Sequence, residues 1–300
     1  MGHRSILVSL TATVLMTTAG LHSADSGLRE SASPPATTLA QLESFVRAKA
    51  KSLETSSCTR SGFQTLLTTY NVAPGSVSYS DYAVVRLLFE ATRDKGLWNL
   101  NWDITDMPPN SDNIWRQWQK IRKPSVLAPT ATAECDELSA LFAFLVERAG
   151  VRGVGLLWPA PNHTVAVWVL HPSRGSAVRV VVPTSQIFLE RTDFFGTKKF
   201  DPWRQKNIYD YTRRDVPDSF VLPKPLFDFF IVQADKYGGA SDLTLQKLRY
   251  LRGAVLLKRQ TPQDAALDAL QLRSQMGAGP AEDLAAFSNF AQDMHTEGGR

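Results

Sequence analysis

Residues 135–148, from Cys135 through Arg148, are apolar on nearly every face of a helix. Leu138, Leu141, Phe142 and Leu145 share one stripe, and Ala140, Phe144 and Val146 lie near the opposite one. A helix without a polar face has to be covered on all sides, so the chain must build structure around this segment. Gly150 supplies the stop. Three strand-like runs follow at once, over residues 151–158, 163–170 and 178–182. They are joined by Pro159-Ala160-Pro161-Asn162 and by Pro172-Ser173-Arg174-Gly175. Connections this short make the three runs antiparallel neighbours. A buried helix feeding a short antiparallel sheet sets the fold class as α+β.

The flanking segments divide readily. A basic Arg4, an apolar run over residues 6–19 and small or polar residues to Ala24 have the layout of a secretory signal, with cleavage after Ala19 or Ala24. Residues 1–24 are therefore expected to be removed and the protein to be secreted or periplasmic. No later stretch is long and apolar enough to span a membrane. Residues 25–38 are Ser, Ala, Pro and Thr with scattered charge, which reads as a flexible linker. Leu39, Leu42, Phe45 and Val46 recur at helical spacing, as do Tyr82, Val85, Leu88 and Phe89 within residues 80–95, where Ser80 or Asp81 is the expected cap. Residues 62–79 are irregular and interrupted by Pro74-Gly75. Residues 97–124 carry Trp98, Trp102, Trp115 and Trp118, read as a loop followed by a short helix over 113–121. The expected domain runs over 39–211. Residues 212–300 form a helical C-terminal part with helices over 225–237, 243–258, 262–276 and 280–294.

The formal charge of +4, from 33 basic and 29 acidic side chains, is too mild to imply nucleic acid. Lys198, Lys199, Arg204 and Lys206 interleave with Phe194, Phe195, Phe200 and Trp203, a mixture that suits either binding of polyanions or glycans or, more often, a solvated loop pinned by aromatics. No His, Cys or carboxylate cluster has metal-ligand spacing and no Gly-rich loop follows a strand, so no metal and no cofactor is expected.

The remaining chemistry centres on two cysteines. Cys135 opens the apolar helix, where the unpaired amides of the first turn favour a thiolate. Its base has to be a histidine brought close by the fold. His163 opens a strand just after a hairpin and His171 closes the same strand, so both cannot reach one helix terminus; His295 falls in a terminal tail. Cys58 lies in the polar run Ser56-Ser57-Cys58-Thr59-Arg60-Ser61, expected to be an exposed turn. Cys135 is thus open to three readings: a nucleophile, half of a disulfide with Cys58, or an inert buried thiol. His163 likewise reads as a base or as a structural histidine.

Glu134-Cys135-Asp136-Glu137, running on to Arg148-Ala149-Gly150-Val151, resembles the cysteine motif of the transglutaminase-like superfamily. Asn162-His163-Thr164-Val165-Ala166-Val167-Trp168 is similar to its histidine motif, and Val180-Val181-Val182-Pro183-Thr184 to its third motif, Val-Asp-Pro-Thr. Ala133 stands for the family's Gly, Glu134 for its Asp, and Val182 for the aspartate that orients the histidine. The resemblance implies a papain-like core, Cys135 as nucleophile, His163 as base, and Thr184 or Gln186 in place of the missing carboxylate. It implies a cysteine-dependent acyl transferase or hydrolase of the protease, amidase or transglutaminase type. Peptide or protein amides, including cell-wall peptides, are the substrates it suggests. The alternative is a catalytically degenerate fold kept as a binding or scaffold module, for which Val182 is the evidence.

Overall fold

The computed structural model describes residues 36–160, 163–172, 176–185 and 207–299. The described residues open with β1 (Ala36–Thr38), α1 (Leu39–Leu53), α2 (Ser57–Tyr70) and α3 (Tyr79–Thr92). Then come β2 (Asn101–Trp102), α4 (Asp112–Trp118), β3 (Thr132–Ala133) and α5 (Cys135–Arg148). The strands β4 (Val154–Ala160), β5 (His163–Leu170), β6 (Val178–Val182), β7 (Tyr209–Asp210) and β8 (Val221–Pro223) follow. Helices α6 (Lys224–Tyr237), α7 (Asp242–Leu256), α8 (Pro262–Gln275) and α9 (Ala281–Gly298) complete it. This is a mixed α+β protein with a helical C-terminal part.

The all-apolar helix is central, as its composition requires. Leu138, Leu141, Phe142 and Val146 of α5 are wholly buried, and burying each such side chain stabilises the fold by roughly 1.5–3 kcal/mol. One side of α5 lies on the antiparallel sheet of order β6-β5-β4-β7, and α3 packs against it in turn. Alternation along the strands divides the sheet. Leu156, Ala166, Trp168, Val180 and Val182 join the core around α5. Leu157, Val165, Val167 and Val181 form a separate cluster on the opposite face. Gly150, at φ +91°, makes the left-handed step that ends α5. Gly155 lets β7 approach: a Cβ there would lie 2.7 Å from the Tyr209 carbonyl oxygen.

Several expectations need correction. Residues 36–38, expected to belong to the linker, form β1, whose partner β8 pairs Ala36 with Pro223 in antiparallel register. A partner so distant in sequence leaves no local trace. Cys58 is buried, not in an exposed turn, because Ser56 caps α2 by accepting the Thr59 N–H and the residues after it are helical. The cap of α3 is Ser78, whose hydroxyl accepts the Asp81 N–H at 3.1 Å, earlier than either expected cap, Ser80 or Asp81. His295 belongs to the last turn of α9 and not to a tail.

The tryptophans are packing groups. Trp98, Trp115 and Trp118 are buried, with ring centroids 4.8 Å apart for Trp98–Trp118 and 4.1 Å for Trp98–Phe230. Through Phe230, this aromatic cluster ties α6 to the loop before α4. The described residues form one compact unit, and no helix among them is long and apolar enough to cross a membrane.

Candidate functional site

Cys135 is the first residue of α5 and 7% exposed. The turn that carries it is clamped by Glu137, whose carboxylate accepts the Glu134 N–H at 2.9 Å, the Asn113 side-chain amide at 2.9 Å and the Thr105 hydroxyl. The first half of this arrangement is the carboxylate arm of a capping box, which fixes the helix start. The Cys135 sulfur accepts the backbone N–H of Thr164 at 3.4 Å.

The sheet explains that contact. In β5 the Val169 N–H points to β4, bonding the Gly153 carbonyl at 2.7 Å, so the N–H and C=O of Thr164, five residues earlier, point to the β6 side. The last pair between β5 and β6 is Ala166 with Val182. Beyond it the first turn of α5 takes the place of a strand. Ser139 completes the junction: its hydroxyl donates to the Cys135 carbonyl at 2.7 Å and lies 2.9 Å from the Thr184 hydroxyl. A carbonyl only accepts, so the single Ser139 proton goes there and Thr184 donates to Ser139. The Thr184 carbonyl accepts the Asp94 N–H at 2.8 Å.

His163 opens β5 and is 1% exposed. It is the residue next to the one that binds the sulfur. Register shifts between Leu157 and Ala160, with the extra residue in β4, so alternation along β5 is undisturbed. His163 therefore shares the face of Val165 and Val167, while Thr164 belongs to the α5 face. Any approach of the imidazole to the sulfur is around the first residue of the strand, not across the face of the sheet. His171, exposed at the other end of β5, and His295 in α9 lie away from this corner.

Electrostatics in the corner favour neutral groups. Burial pushes the Cys135 thiol up; the Thr164 and Asp136 amides oppose this, and the Asp136 and Glu134 carboxylates add to it. The expected lowering by the helix terminus is thus outweighed. Burial pushes His163 down. Asp136 is raised to about 6, by burial first and then by Glu134. Cys58 is raised to about 11, mainly by burial. Both cysteines are free thiols.

Of the four site residues expected from sequence, the fold gathers Cys135, the strand start at His163, and Thr184; Gln186 lies outside the described residues. The Thr184 hydroxyl is engaged with Ser139. Val182 sits in the apolar core opposite Ala166, where a carboxylate would be desolvated without a partner. Ser139 and Thr164 were not anticipated. A hydroxyl one turn from Cys135 in an otherwise apolar helix was the available signal for Ser139; Thr164 acts through its backbone and has none. The described residues contain no group of His, Cys or carboxylate side chains placed to hold a metal. No family model, no curated protein and no solved structure matches the chain.

Proposed function

We propose that the protein is an exported, cysteine-dependent acyl transferase or hydrolase of transglutaminase-like type, acting on peptide or protein amides, with cell-wall peptides among its candidate substrates. The observation that carries this reading is the docking of the Cys135 thiol, at the start of a buried helix, onto the Thr164 amide beside His163. With the thiol held up and the imidazole held down, the resting pair is neutral. Attack then needs a general base. The sulfur bonds the carbonyl carbon as its proton passes to His163, and that proton leaves with the amine when the C–N bond breaks. Water or a second amine resolves the thioester and regenerates the thiol. The Cys135 N–H at the start of α5 is the donor for the developing oxyanion.

A second reading, a binding or scaffold module with an inert thiol, is favoured by the engagement of Thr184 with Ser139 and by the apolar setting of Val182. Iodoacetamide alkylation near neutral pH, followed by peptide mass analysis, separates the two. Cys135 should react at least about tenfold faster than Cys58, and His163→Ala should remove that advantage without altering Cys58. Equal Cys135 rates in the parent and in His163→Ala would leave the scaffold reading in place.

A further inference from the structure

We propose that the protein binds one small monovalent anion of the halide class in a cavity between α3, α6 and α7, held by the guanidiniums of Arg249 and Arg252. The cavity measures about 20 Å³ and is lined by these two arginines together with Glu90, Lys95, Gln233 and Tyr237. That is room for one body the size of a water molecule, which excludes a tetrahedral oxyanion.

The charges around it do not balance. Glu90, Arg93 and Arg252 are buried and the Arg249 side chain is 11% exposed. The Glu90 carboxylate takes Arg93 through one oxygen at 3.3 Å and Arg249 through the other at 2.6 Å. Arg86 beside them is already served by the Gly238 and Ala240 carbonyls and by Asp242. Asp293, which also attracts Arg252, accepts hydrogen bonds from Lys236 and Tyr237. Two guanidiniums, of Arg93 and Arg249, therefore share the single carboxylate of Glu90, and Arg252 shares that of Asp293 with Lys236. Nε and Nη2 of Arg249 and Nε of Arg252, on two residues that line the cavity, are buried with no hydrogen-bond partner among the described residues, while the Arg93 guanidinium lies outside the lining, 4.5 Å over the Phe89 ring. Water would satisfy such N–H groups yet leave the excess positive charge; a bound anion satisfies both.

The test is thermal unfolding of the full chain at one fixed ionic strength, with chloride or bromide exchanged for gluconate, which is too large for the cavity. The midpoint should be about 2–4 °C higher in either halide, and the difference should vanish in Arg252→Gln. Equal midpoints in halide and gluconate would overturn the proposal, as would a difference that persists in Arg252→Gln. If that variant does not fold, crystals of the parent grown in bromide decide: an anomalous peak between Arg249 and Arg252 is expected, and none there refutes the site.

Discussion

The corner around Cys135 and the junction of α3 with α7 both place polar groups out of water, by opposite means. Around the Cys135 sulfur the interior groups are hydroxyls, amides and a thiol. Each is small and bonded to a neighbour fixed by backbone geometry: sulfur to the Thr164 amide, Ser139 to the Cys135 carbonyl, Thr184 to Ser139. The buried carboxylate of this turn, Glu137, is bonded by neutral donors, the Glu134 N–H, the Asn113 amide and the Thr105 hydroxyl, while Glu134 and Asp136 lie at the rim. At the α3–α7 junction the interior groups are themselves full charges, with Glu90 set between Arg93 and Arg249. A neutral network tolerates the loss of one member, because what remains is an unmade hydrogen bond. A charged one does not, because what remains is an ion in a medium that solvates it poorly.

The largest effect is therefore expected at Glu90. Glu90→Gln leaves Arg93 and Arg249 without their carboxylate and should destabilise the protein by about 3–5 kcal/mol in urea unfolding. A loss under about 1 kcal/mol would mean that the buried charges tolerate the loss of a partner, and the contrast between the two regions would collapse.

Ser139→Ala should matter less. It removes the bond to the Cys135 carbonyl and leaves the Thr184 hydroxyl without its acceptor, for a loss of about 1–2 kcal/mol by the same measurement. If its effect matched that of Glu90→Gln, the hydroxyls at the helix–sheet junction would be as indispensable as the buried charges.

Asp136→Asn should have the smallest effect, and one that depends on pH. The folded protein holds the Asp136 proton up to about 6, above the ordinary carboxylate value, so the folded state binds more protons than the unfolded chain across that interval. Stability contributed by this group is present in acid and declines as pH rises to about 6. An asparagine cannot ionise, so Asp136→Asn should match the parent at about pH 3.5 and exceed it at about pH 8. The gain is less than about 1 kcal/mol, because water screens this partly exposed side chain. The same change should speed Cys135 alkylation at about pH 8, since it removes a negative charge that holds the thiol up. A variant less stable than the parent at about pH 8 would contradict the assignment.

Much of the architecture was legible along the chain. The bounds of α5 and the run of β4, β5 and β6 follow from apolar periodicity, a glycine stop and two short proline-containing connections. Helices α6 to α9 lie within a few residues of their expected places because proline or a serine cap marks their starts. What was not legible has a shared cause. β1 depends on β8, and β7 on β4; each is a strand only because a distant backbone supplies its hydrogen bonds. The burial of Cys58 depends on a helical cap at Ser56 and on C-terminal neighbours such as Asp283 and Glu282.

The sequence by itself determined that residues 135–148 are a covered helix beginning at a cysteine, and that a short antiparallel sheet follows it, because side-chain periodicity is a local property of the chain. Only the tertiary structure decided what that cysteine meets. The partner of its sulfur is a backbone amide, which every residue but proline possesses and no side chain announces. The state of its thiol is set by burial and by neighbouring carboxylates together, a balance that exists only once the helix is packed against the end of the sheet.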